Sequence, residues 1–266
     1  MQERRTEPRF EFTSIVLPFL GSRVEDHLCF EYIPLDISTH GLKLAIPRWV
    51  VSRERLRDGD EVNLHVPFRL REGNFSRGRI VWSRWDDVHQ GQVCGVRMEK
   101  AGHRHCRVFF DLDTREFGID LKQFASPEDL ALKVLKDSIL LKRGVLIYLN
   151  HLVPYFSRVT PYPTDEYPLL KSLFLDDVKR KIEENIQKLE ALHRKALEEL
   201  PAGTEIPVFL DLEELRSVVE SEIHLDLFKI TFSTEAVLPL LSAIKELEER
   251  QYVNYNTLVM LYIRSL

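Results

Sequence analysis

What most constrains the fold of this chain is a change of texture along it. Of its eleven glycines, nine fall at or before Gly118 and only Gly144 and Gly203 follow, and every tryptophan and cysteine lies in the first part. Short apolar runs broken by Gly and Asp turns, such as Asp58-Gly59-Asp60, call for strands. Apolar residues recurring every three or four positions without breakers call for helices. A chain that holds the two patterns in separate halves is predicted to form a β unit and an α unit, here 1–118 and 119–266.

In the first half the alternation predicts strands over Phe10 to Leu20, His27 to Leu35, Gly41 to Ile46, Glu61 to Leu70, Ser76 to Trp85 and Gln92 to Met98. Short strands of this kind close into an antiparallel sandwich or barrel. Ala101 to Phe124 reads as a connector, within which Val108 to Leu112 suits a closing strand or a helix equally. Ser126-Pro127-Glu128-Asp129 then supplies an N-cap, a proline at the first helical position and acids in the first turn. A helix is expected from there to about Leu152, ended by Pro154.

After a proline-bearing link from Thr160 to Pro168, the stripe Leu175, Val178, Ile182, Ile186, Leu189, Leu192, Ala196 and Leu200 marks one face of the longest helix. A helical run of about 35 residues exceeds an average helix several-fold. Its stripe either packs within a monomeric bundle or zips to a second chain. Glu184 with Lys188 and Glu190 with Arg194 are spaced as i,i+4 pairs. Pro201 and Gly203 stop this helix, and Asp211 with Glu214 has the spacing of a capping box. Two further helices, near Thr234 to Arg250 and Asn256 to Ile263, complete an all-α second half.

The composition limits the function classes. A hydrophobic content of 44% over 266 residues fills real cores, and a net charge of −5 excludes a protein that coats nucleic acid or anionic membrane over its whole surface. Any anion site must be local. The start, MQERRTEPRF, has no apolar core of the kind a secretory signal needs, and the apolar stretch Val145 to Val153 is too short to cross a bilayer. The expectation is a cytoplasmic protein without a membrane span, and Cys29, Cys94 and Cys106, which form no pairing pattern, fit a reducing compartment. His103, His105 and Cys106 are the densest set of potential metal ligands, but no second pair completes a zinc site. There is no Gly-rich phosphate loop, HExxH or Gly-x-Ser-x-Gly motif, so nothing supports an enzyme.

Near the start lie two short motifs, Arg5-Thr6-Glu7-Pro8-Arg9 and Asp36-Ile37-Ser38-Thr39-His40-Gly41. The arginines precede the first strand-like run, and the second motif follows the second run. In order and separation they resemble the RxxxR and (D/N)xSxxG signatures of the PilZ domain family. Gly78-Arg79-Ile80-Val81-Trp82 and Cys94-Gly95-Val96-Arg97-Met98 resemble that family's late strands, so the likeness spans about the first 100 residues. The resemblance implies a six-stranded barrel that binds cyclic di-GMP, with an arginine arm folding over the nucleotide. It also implies that Arg4, beside the motif, favours capture of a stacked pair of nucleotides. No family is recognised in the second half.

The chemistry of these residues suits that ligand. Cyclic di-GMP carries two anionic phosphodiesters and two guanines whose O6 and N7 accept hydrogen bonds. The guanidinium groups of Arg5 and Arg9 can pair with either and can stack on a purine. Asp36 can accept from guanine N1–H and N2–H₂, Ser38 can donate to phosphate, and Gly41 allows close backbone approach. Without a ligand, the same residues would be a solvated arm and a hairpin turn. Trp82 reads as core, with the alternative that it or Trp85 borders the ligand. The sequence therefore predicts a cyclic di-GMP receptor with a helical output module. The alternative is a ligand-independent adaptor whose helices self-associate or recruit a protein partner. A nucleic-acid partner is not expected, because a broad basic face with aromatics is missing.

Overall fold

The computed structural model describes residues 9–11, 18–47, 56–65, 68–70, 75–100, 108–111, 113–159, 171–199, 211–223, 228 and 235–265. The chain divides into two compact units, Met1–Gln123 and Phe124–Leu266.

The first unit contains strands β1 (Phe10–Glu11), β2 (Phe19–Arg23), β3 (Cys29–Ser38), β4 (Gly41–Pro47), β5 (Glu61–Leu64), β6 (Phe68–Leu70), β7 (Phe75–Asp86), β8 (Gly91–Lys100), β9 (Val108–Asp111) and β10 (Glu116–Ile119). Six of them form an antiparallel circuit in the order β3-β2-β5-β7-β8-β4, closed by pairing of β4 with β3. Closure removes the open edges that would otherwise invite aggregation. Phe19, Phe30, Tyr32, Leu44, Val62 and Leu64 are essentially inaccessible to solvent and fill the interior. Their inward positions follow the two-residue period of a strand.

The predicted strand from Phe10 to Leu20 is instead two strands, β1 and β2, which pair with opposite ends of β3: Phe10 faces Ile37 and Phe19 faces Tyr32. The predicted strand from Glu61 to Leu70 also divides. β5 stays in the barrel, while β6 joins β9 and β10 in a small second sheet. Val108–Asp111 is thus a strand. The Asp111 carboxylate accepts from the backbone N–H groups of Asp113 (2.9 Å) and Thr114 (3.2 Å), which turns the chain into β10.

Among the described residues the second unit includes the helices α1 (Pro127–Val159), α2 (Asp177–Glu199), α3 (Leu212–Val219) and α4 (Leu238–Ser265). As predicted, Ser126 caps α1, its Oγ accepting from Asp129 N at 3.2 Å. Pro154 does not end the helix, which continues to Val159. Pro154 is exposed, so the group that loses its helical partner, the Asn150 carbonyl, lies on a solvent-facing side. Helix α2 follows a π-helical turn at Ser172–Asp176 and has 23 residues, so the longest helix is α1, with 33. Its stripe is buried as expected at Ile182, Ile186, Leu189, Leu192 and Ala196. Leu200, Pro201 and Gly203 lie outside the described residues. The expected i,i+4 pairs are replaced by others: Glu184 accepts from Arg180 at 2.9 Å, and Glu190 from Arg143 of α1 at 2.6 Å.

Asp211 caps α3, accepting from Glu213 N (2.9 Å) and Glu214 N (3.1 Å). The two helices expected at the end are one, α4, entered through a 3₁₀ turn at Glu235–Val237. The polar run Gln251 to Thr257 has the composition of a linker, yet Gln251, Asn254, Asn256 and Thr257 are buried within α4. Asn254 Nδ2 donates to Ser138 Oγ of α1 at 3.2 Å. A second buried polar contact ties α1, α2 and the segment after α3. Lys142 Nζ donates to both Glu222 carboxylate oxygens at 2.8 Å and to the Glu220 carbonyl at 3.0 Å, and Asn185 Nδ2 donates to Glu222. Among the described residues no helix is long and apolar enough to cross a membrane.

The side chains of Lys142 and Glu222 are 4% and 2% exposed. Glu222→Ala therefore strands a buried ammonium and is expected to destabilise the helical unit by about 3–5 kcal/mol. Urea unfolding followed by circular dichroism measures this, and pairing Lys142→Met with Glu222→Leu should recover most of the loss.

Candidate functional site

The two amino-terminal motifs meet on the outside of the barrel. Strand β1 pairs antiparallel with β3, with Phe10 opposite Ile37 and Glu11 opposite Asp36, so one step back along the register sets Arg9 opposite Ser38. Arg9 Nη1 donates to Asp36 Oδ1 at 2.7 Å. A Cβ added to Gly41 would sit 3.2 Å from Arg9 Nη2 and 3.3 Å from Ser38 Oγ, so the guanidinium lies directly over this glycine. Ser38 and Gly41 flank the β3–β4 hairpin turn as a register pair, and the His40 carbonyl at its tip accepts from Met98 N at 2.9 Å. Arg9, Asp36, Ser38 and Gly41 are thereby brought together, whereas Arg4 and Arg5 lie outside the described residues.

That Asp36 faces outward is the work of a β-bulge. Pro34 pairs with the interior residue Leu44, and strict alternation would also turn Asp36 inward. The register shifts between Pro34 and Asp36, so that Asp36 pairs instead with Lys43 on the outer face. A second bulge does the same on β7, where Ile80 pairs with Val96 inside the barrel and Trp82 with Gly95 outside. A Cβ on Gly95 would overlap the indole of Trp82, so the ring occupies the hollow that this glycine leaves. Trp82 is not core, contrary to expectation. Arg84 stands over its ring, 5.4 Å from the centroid. Trp82 is half-buried and Trp85 exposed, its Nε1 donating to Asp87 Oδ1 at 3.1 Å.

Combining the registers gives two neighbouring outward rows across four strands. One row is Asp36, Lys43, Gly95 and Trp82; the other is Ser38, Gly41, Arg97 and Arg79. Asp36 and Ser38 are buried, at 8% and 4% exposure, under the Arg9 side chain. Beyond Arg79 the second row reaches Glu61, which accepts from Arg79 (2.8 Å) and Arg77 (2.6 Å). Those bonds, Arg79's first, hold the Glu61 carboxyl below the usual carboxylate range. The surface combines one recessed carboxylate, a hydroxyl, a bare backbone patch, an aromatic plate and several guanidiniums. This donor and acceptor set suits a nucleotide: the carboxylate for base N–H groups, the cations for phosphate.

Motif reading did not single out Lys43, and it took Arg79 and Arg97 only as parts of late strands, not as neighbours of Asp36 and Ser38 on the outer face. The signal available was the alternation of β4 and β8 together with the glycines opposite, but pairing those strands requires the register. His103, His105 and Cys106 lie outside the described residues, and no cluster of metal-ligating side chains occurs among those described.

Gly95→Ala is expected to lift the Trp82 indole from its seat. In a background with Trp49 and Trp85 replaced by Phe, the emission maximum should shift to the red, with the far-ultraviolet circular dichroism unchanged.

No curated protein matches the chain. The PilZ domain model matches residues 3–117, which span the barrel and both motifs. The amino-terminal part of this chain belongs to the PilZ domain family.

Proposed function

We propose that the protein is a cyclic di-GMP receptor in which Arg5 and Arg9 form a clamp over a floor made by Asp36, Ser38 and Gly41. The PilZ family is generally one of cyclic di-GMP-binding receptors. The observation that carries the reading is the seating of Arg9 on Asp36 above Gly41, which makes one site of two motifs far apart in sequence. The side chain of Arg9 remains 35% exposed while that of Asp36 is 11% exposed, so a ligand can reach the guanidinium and other N–H donors can take its place at the carboxylate. On binding, guanine N1–H and N2–H₂ replace the guanidinium at Asp36. Arg9 turns to a phosphate or to guanine O6 and N7, and Ser38 donates to phosphate. Arg4, next to the clamp, favours a stacked pair of ligands. The ordered arm is the signal, and the helical unit carries the response.

Each charged hydrogen bond contributes about 1.5–3 kcal/mol. Arg9→Ala and Asp36→Ala should therefore each weaken cyclic di-GMP binding at least about tenfold in calorimetry. The circular dichroism spectrum should not change, and GTP serves as the control ligand. Unaltered affinity in both variants overturns the reading.

A second reading, an adaptor that acts through its helices, has support from α1. Leu140 and Ile147, one heptad apart, are 53% and 56% exposed. Light scattering with and without cyclic di-GMP separates the two. A receptor changes mass or shape with nucleotide, whereas a constant oligomer favours the adaptor.

A further inference from the structure

We propose that Arg97, with Arg79 beside it, is a second cationic subsite of the same nucleotide site and receives the phosphodiester that Arg9 does not hold. This rests on the cyclic di-GMP reading above. Arg97 pairs in register with Gly41 on one side and Arg79 on the other, so its side chain leaves the barrel on the same outer face as Ser38. Adjacent strands are about 5 Å apart, which sets Arg97 one strand from Gly41 and two from Ser38. That spacing lies within the span of one dinucleotide ring reaching from the Arg9 clamp.

Two arginines directly opposite each other on neighbouring strands repel, and such a pair is destabilising unless an anion lies between or beside it. Arg79 has its anion in Glu61. Arg97 is exposed, and among the described residues no hydrogen bond or ion pair engages its guanidinium. Among the described residues Arg97 is thus an uncompensated cation on the outer face, one strand from the floor of the clamp. A ligand with two phosphodiesters on opposite sides of one ring supplies the missing charge. Arg9 holds one and Arg97 the other, with Arg79 reinforcing the field and Glu61 limiting it. A ligand with a single phosphate group would engage only one subsite, so Arg97 also selects for the cyclic dinucleotide.

The test is calorimetry of the full chain with cyclic di-GMP at low and high salt, on the wild type, Arg97→Ala, Arg97→Lys and a control, Arg57→Ala. Arg57 lies in the turn before β5 and belongs to neither row. Arg97→Ala should weaken binding about tenfold or more, the effect of one charged hydrogen bond. It should also flatten the salt dependence, because one fewer charge pair is screened. Arg97→Lys should fall between Arg97→Ala and wild type, and Arg57→Ala should match wild type. If the wild type binds and Arg97→Ala stays within about twofold of it, the second subsite is wrong while the receptor reading stands. If the wild type does not bind cyclic di-GMP at all, the receptor reading fails and takes this inference with it.

Discussion

The site depends on the two-residue period of the β-strand and on two of the places where this barrel breaks it. A strand that lines a closed barrel sends alternate side chains inward without exception, so the face a residue serves is decided by parity. One inserted residue reverses that parity for everything after it. The bulge between Pro34 and Asp36 turns a carboxylate away from an apolar interior where it would be unpaired, and the bulge between Ile80 and Trp82 turns an indole outward. Both residues arrive in the same outward row, with Lys43 and Gly95 between them. Bulges recur beside binding sites for this reason: they re-aim a side chain without changing the fold.

Glycine completes the arrangement. At Gly41 and Gly95 the missing Cβ leaves hollows on the outer face, and each is occupied by a planar group, the Arg9 guanidinium and the Trp82 indole. A flat surface edged by cations and one recessed carboxylate follows from strand pairing alone. The amino-terminal arginine reaches this surface because β1, only two residues long, pairs with β3 at Phe10 and Glu11.

Much of this was legible in the sequence, and what escaped had specific physical causes. The glycine distribution separates the two units, and the motifs around Arg9 and Asp36 point to residues that the fold does bring together. The split of Phe10 to Leu20 into β1 and β2 was not legible, because alternation reports that a segment is extended but not which partner it meets. Trp82 looks like core because aromatic strand residues usually are, and only the register shows it opposite a glycine on the outside. Arg97 lies in a stretch that the sequence marks only as a late strand, and it gains its meaning from Gly41 and Arg79 on neighbouring strands. In the helical unit, the buried Asn254 and Thr257 make a continuous helix resemble a linker, since their polarity is satisfied inside the bundle and the Thr257 hydroxyl donates to the Val253 carbonyl at 2.8 Å. Pro154 misleads for the opposite reason, because a breaker by composition is tolerated on an exposed side.

The central claim is that the nucleotide lies across the two outward rows spanning β3, β4, β8 and β7. Its most direct test is the change in backbone amide chemical shifts when cyclic di-GMP is titrated into the protein. Shifts concentrated at Ser38, Gly41, Lys43, Gly95 and Arg97, with β2 and the far end of β5 quiet, are the predicted result. A ligand that leaves these amides unmoved, or perturbs the opposite wall of the barrel instead, contradicts the account.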